Sequence, residues 1–239
     1  MWNNNQNNNY PPAWQGQPVY AGATTLDRSS LIQKVMWFTT TSIVAAAAGV
    51  WLGVNGLHSA YNMSRGSSIL WIIAEIAFMI GAMSLRNVTP INFVLLYGFA
   101  LSSGVLLAPT MQILSDAGYS GIIVQALLIT GSLTFALGIY AWTTKRDFSG
   151  LAPYLFVAVI GLLIVSMLNI FLHSTMLYSV IMYAGVMIFS FYLIFDVQQA
   201  KKSENTIGNA IALSIGIYLD ILNLFLFILQ ILMSLQGRD

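Results

Sequence analysis

The chain has 239 residues, 57% of them hydrophobic and only 7% charged, where a soluble domain carries roughly a quarter charged, so an ordinary water-soluble fold is excluded. Nine basic and eight acidic side chains leave a net charge of +1, which indicates neither a nucleic-acid-binding surface nor a strongly acidic one. The absence of cysteine removes disulfides, thiolate metal sites and cysteine nucleophiles together.

In chain order, the first stretch is MWNNNQNNNYPPAWQGQPVYAGATTLDRSS, rich in Asn, Gln, Gly and Pro. It lacks the basic and apolar regions of a signal peptide and predicts a disordered, cytoplasmic tail over 1–30. Residues 31–239 predict an all-α, polytopic membrane domain. A bilayer core about 30 Å thick needs about 20 apolar residues per helix, and runs of that kind fall at 35–57, 69–85, 91–109, 121–142, 152–172, 177–196 and 210–235. The polar breaks between them are short, so successive helices should be antiparallel neighbours in one seven-helix bundle.

Orientation follows from the basic residues. Arg28, Lys34, Arg86, Lys145, Arg146, Lys201 and Lys202 fall on the side of the tail, Arg65 and Arg238 on the other, and seven against two predicts a cytoplasmic N-terminus. An odd number of spans sends the C-terminus out; a re-entrant last run would bring it back. Small residues at helix-packing spacing (Gly49 and Gly53, Gly98 and Ser102, Gly131) are expected to let backbones approach closely. No internal repeat of the kind found in many secondary transporters is evident.

Charges inside the apolar runs need a physical reason. Asp220 lies in GIYLDILNLFLFILQILMSL, about 15 Å of helix into its run and close to mid-bilayer, where an aspartate costs about 2.5–3.5 kcal/mol on insertion scales. A leucine would pack better, so the carboxylate either serves a function or joins helices through a protonated hydrogen bond. Asp196 ends SFYLIFD on the preceding run. Alone it is an ordinary helix-end carboxylate facing Lys201 and Lys202; beside Asp220 it forms a pair able to share a proton. Glu75 sits in the middle of the second run and Arg86 at its inner end, at a spacing that places both on one face of a continuous helix. Asn169, Asn223, Tyr183, Tyr192 and Tyr218 are candidate polar partners, with interhelical bonding their simplest role. His58, His173 and Asp116 read as surface residues.

From about Lys34 to Leu235 the chain resembles the transmembrane Bax-inhibitor-motif family in its bacterial inner-membrane branch. The likeness is carried by FYLIFDVQQ with LSIGIYLDILNLFLFILQIL, by SGVLLAP on the third run, by TTKRDFSG after the fourth, and by LNIF on the fifth. The resemblance implies a seven-helix bundle with a central C-terminal helix and a pH-sensitive calcium leak. It further implies that Asp196 and Asp220 form the pH-sensing pair, with Arg86 as a latch on it. Glu75 also matches a family position. The sequence departs from the family in its tail, and in carrying one arginine where some relatives have a basic cluster.

On this reading two nearby carboxylates cannot both ionise cheaply, and the pair titrates as a unit. The singly ionised pair is held by Arg86, and protonation frees the latch. Glu75, Asn169 and Asn223 are candidate pore or ion contacts. No cofactor is expected, calcium being the permeant ion; the bilayer and calcium are the expected partners, and oligomeric state stays open. The alternative is a non-catalytic regulator of a membrane protease or other membrane complex. An intramembrane aspartyl protease would need a Gly-x-Gly-Asp motif where this chain has IYLD. Zinc-helix, nucleophile-elbow and phosphate-loop motifs are also missing, so no enzyme is expected. A proton-coupled transporter is the remaining reading.

Overall fold

Apolar runs of bilayer length satisfy every backbone polar group only as helices or closed barrels. All seven runs are helices in the computed structural model, which describes residues 23–56 and 65–236. They are α1 (Ala23–Trp51), α2 (Arg65–Ser84), α3 (Ile91–Asp116), α4 (Ser120–Thr143), α5 (Ala152–Leu172), α6 (Thr175–Lys202) and α7 (Ile207–Gln236). One wide π turn, Leu52–Gly56, prolongs α1, and a single 3-10 turn, Ser149–Leu151, leads into α5. Residues 1–22 of the expected tail lie outside the described residues, as do His58 and Arg238; from Ala23 onward the chain is already α1.

Several helices outrun their expected limits: α1 starts at Ala23, α6 continues to Lys202, and α3 and α7 are also longer than expected. α3 continues through Pro109 to Asp116, because a proline inside a membrane helix is tolerated when neighbouring groups re-satisfy the backbone. α7 begins at Ile207, where Thr206 Oγ1 accepts a hydrogen bond from the Asn209 backbone N–H (3.1 Å) and so caps the first turn. It runs unbroken for 30 residues, about 45 Å, so the re-entrant alternative is not the conformation of this helix.

Five helices gather around α7, which touches α1, α2, α3, α4 and α6. Its residues enter three apolar clusters: Ile211, Ile215 and Tyr218 against Phe99, Leu96 and Ala82; Ala210, Ile217 and Leu224 against Leu31, Val35 and Leu193; Phe225, Ile228 and Leu229 against Ile122 and Ala126. At the other extreme, α5 meets the other long helices through α6 alone. Its outer face (Phe156, Val157, Met167, Phe171) is exposed, a pattern suited to lipid rather than to water.

The seam between α1 and α3 confirms the small-residue reading. A Cβ on Gly49 would overlap the Leu101 carbonyl, one on Gly104 the Ala46 carbonyl, and one on Gly53 the Ala108 methyl, so these backbones touch directly. At Gly98 a Cβ would stand 2.9 Å from the Phe78 ring. Ser102 is fully buried, its hydroxyl donating to the Gly98 carbonyl (2.8 Å). Gly131 differs from expectation. Nothing lies within 4 Å of the space its side chain would take, because that face of α4 looks away from the bundle.

Candidate functional site

Asp220 lies 13 positions into α7, about 20 Å along its axis. It is 4% exposed, and its Oδ2 has no hydrogen-bond partner. An unpartnered buried acceptor costs about 1–3 kcal/mol, so the residue is not kept for packing. Asp196 comes six residues before the end of α6. Its Oδ2 occupies the space beside Gly216 of α7 that a methyl group would need. Gly216 precedes Asp220 by one helical turn, about 6 Å, and the two carboxylates lie in each other's electrostatic field and in that of the Tyr192 hydroxyl. The antiparallel α6–α7 hairpin therefore brings the two acids together, and glycine at 216 is what lets Asp196 approach.

Gly208, Ala212 and Gly216 recur every fourth residue on α7, leaving a shallow face that leads to Asp220. A cavity of about 440 Å³ opens over this face, between α2, α6 and α7. Asp196 is its sole ionisable lining residue; Met79, Ile80, Met83, Leu213 and Leu219 supply apolar walls.

Arg86 stands at the Gly208 end of this face. α2 ends at Ser84, so Arg86 is in the following turn, and the expected shared helical face with Glu75 does not form. Its Cγ lies against Gly208, eight residues or about 12 Å along α7 from Gly216. The side chain is exposed and forms no ion pair among the described residues. Its carbonyl accepts a hydrogen bond from Asn92 Nδ2 (2.8 Å). Arginine and acid pair thus flank the cavity from opposite ends without meeting.

The other candidates are placed elsewhere. Glu75 is half-buried and lies in the electrostatic reach of Tyr218, whose hydroxyl is hydrogen-bonded to Ser103 Oγ of α3. Tyr218 and Asp220 are two residues apart, about 200° around the helix, so Tyr218 and Asp220 point to different sides of α7. Asn169 ends α5, where its Oδ1 accepts from the Ser174 backbone N–H (3.1 Å); the amide holds the α5–α6 turn, beside the start of α6 and far from Asp196. Asn223 donates to the Leu219 carbonyl of its own helix (2.8 Å). His173 is an exposed helix-ending residue at φ 49°, and Asp116 is exposed.

Several site residues carried no signal in the sequence. Thr39, Ser42, Thr130 and Thr134 each hold a buried hydroxyl without a hydrogen-bond partner. Thr130 shares a face of α4 with Ala126 and Leu133, which pack on the stretch of α7 around Asp220. Below Asp196, Gln198 is 5% exposed and clasps the α4–α5 loop: it accepts from the Phe148 backbone N–H (2.9 Å) and donates to the Arg146 carbonyl (2.8 Å). Lys201 donates to the Trp142 carbonyl (2.7 Å) and lies 5.3 Å over that indole, a favourable cation–π distance. Lys202 pairs with Asp147 (2.7 Å). This hydrogen bond, with further bonds from Ser149, holds the exposed Asp147 carboxyl well below the usual range.

Comparison with known proteins agrees with this architecture. The family described as inhibitor of apoptosis-promoting Bax1 matches residues 28–237. An uncharacterized protein of Campylobacter jejuni is 31% identical over 213 residues, covering 88% of this chain and 90% of the relative. An uncharacterized membrane protein of Vibrio cholerae is 27% identical over 231 residues, covering 93% and 99%. A Golgi anti-apoptotic protein of vaccinia virus is 34% identical over 172 residues, covering 70% of each. With the match running from within α1 to just beyond α7, the chain belongs to the Bax-inhibitor family of membrane proteins.

Proposed function

We propose that the chain is a pH-sensitive cation leak, with calcium as the permeant ion, gated by Asp196 and Asp220. The supporting observation is the seat of the Asp196 carboxylate on Gly216, one turn from the buried, unpartnered carboxylate of Asp220. Two acids so close in a medium of low dielectric share one proton more readily than they lose both. In the closed state the singly ionised pair draws Arg86 along the Gly208–Gly216 face into the cavity, and the guanidinium covers the path. Taking up a second proton neutralises the pair, leaves the arginine without an anionic partner, and opens the path. Weak, transient oxygen contacts suffice for a leak, since strong calcium sites need six to eight ligands. The reading is non-catalytic, and the bias of basic residues supports a cytoplasmic N-terminus with the chain in the bacterial inner membrane.

Calcium flux through purified protein in liposomes, measured across a pH series, tests this. Wild type is expected to conduct more as pH falls, and Asp220→Asn to conduct independently of pH. A normal pH profile in Asp220→Asn would remove the pair from the gate.

A second reading, regulation of another membrane protein by contact, is favoured by the name of the vaccinia relative, which is anti-apoptotic. Capture of partners with and without residues 1–30 separates the two, because a leak operates in the purified chain alone.

A further inference from the structure

The cavity beside Asp196 has a composition that a water-filled ion path does not require. Met79, Ile80, Met83, Leu213 and Leu219 form an apolar chamber of about 440 Å³ around one carboxylate, within the roughly 300–1,000 Å³ of small-molecule pockets. Its rim faces lipid: Ile80 is 56% and Met83 46% exposed, so the chamber is reached sideways from the bilayer between α2 and the α6–α7 hairpin. Asp196 forms no ion pair among the described residues. A carboxylate in such surroundings gains from any cation that arrives already stripped of bulk water, and methionine walls adapt to varied shapes.

We infer that this cavity is a binding site for a lipophilic amine, a compact apolar molecule bearing one ammonium group, which enters from the membrane and pairs with Asp196. The apolar body packs on Met79, Met83, Leu213 and Leu219, and the small side chain of Ala212 leaves room for the ammonium to approach the carboxylate seated on Gly216. A small amine fits the cavity, which is open on its bilayer side, and gains the charge pair, whereas a neutral analogue of equal shape gains the apolar contacts alone. The site requires only the anion and the void; in the closed leak proposed above Arg86 would compete for both, but amine binding is read without any ion flux.

The test uses the purified full chain in phosphatidylcholine nanodiscs with two photoreactive probes, a diazirine-bearing alkylamine and the matching alcohol, and maps the labelled residues by mass spectrometry. The amine is expected to label the α2 and α7 walls saturably, with labelling displaced by unlabelled amine, while the alcohol labels without saturation. Asp196→Asn should reduce saturable labelling by at least about tenfold, as loss of a desolvated charge partner does, and Ala212→Phe should abolish it by filling the chamber. Equal saturable labelling by amine and alcohol in the wild type, a comparison that needs no variant to fold, would overturn the inference. So would wild-type labelling in Asp196→Asn. A chain that binds the amine and conducts no calcium would keep this site and reject the leak.

Discussion

Replacing Gly216 by alanine perturbs the acid pair without removing either acid. The new methyl group would claim the space now held by Asp196 Oδ2. What must yield is the free end of a side chain, so Asp196 rotates out of the α6–α7 seam toward the cavity, away from Asp220. Stability should hardly change: alanine gains about 1 kcal/mol over glycine in a helix interior, and an off-rotamer aspartate returns about 0.5–1.5 kcal/mol. The pH response should change more. In the proposed gate, proximity of the two carboxylates favours sharing one proton in the closed state, and losing about 1.5 kcal/mol of that preference would correspond to about one pH unit. Because the closed state is the one weakened, opening requires less acid, and the half-activation pH of the leak moves upward. Calcium flux in liposomes across a pH series reads the shift, and thermal unfolding of the same preparation reads stability. An unmoved or more acidic midpoint would show that the seat on Gly216 has no part in the response.

The opposite signature is expected of Gly104→Ala, whose methyl would strike the backbone carbonyl of Ala46: a loss of about 1–3 kcal/mol from overpacking, read by thermal unfolding, with the pH midpoint unchanged. Gln198→Ala should release the α4–α5 loop at a cost of about 1–3 kcal/mol, seen as faster hydrogen exchange at the Phe148 amide. Unchanged exchange there would show the clasp to be dispensable. Asp147→Asn should leave the leak's pH profile where it is. Its carboxyl is held low in the folded chain, so its contribution to stability is complete above the ordinary carboxylate range and fades only as pH falls below that range, outside the window of a near-neutral response. A displaced midpoint in that variant would assign proton sensing to the loop.

The helices were readable because hydropathy over bilayer length needs no knowledge of neighbours, and the small-residue seam was readable at Gly49 and Gly53 for a related reason: only close backbones favour glycine there. Gly131 shows the limit, since the same residue type on a lipid-facing surface packs against nothing. Asp196 and Asp220 stood out as charges in apolar runs, and their meeting followed from the short hairpin between their helices. Arg86 was placed on a helix face that stops at Ser84, a boundary set by the turn chemistry before Pro90 rather than by hydropathy. Gln198 and Thr130 were invisible: most serines in these helices, such as Ser166 and Ser190, simply bond their own preceding turn, and nothing local marks the hydroxyl or amide that does otherwise.

The place of α7 also constrains how the molecule is made. Six hydrophobic segments emerge from the ribosome before α7, and until it arrives α3 can pack on α1 and α2 while the five helices that touch α7 lack their common centre. Nascent chains lacking α7 should therefore be loose assemblies, open to quality-control proteolysis, and the acid pair cannot exist in them. Insertion of α7 and the assembly of the acid pair are in this way a single late event.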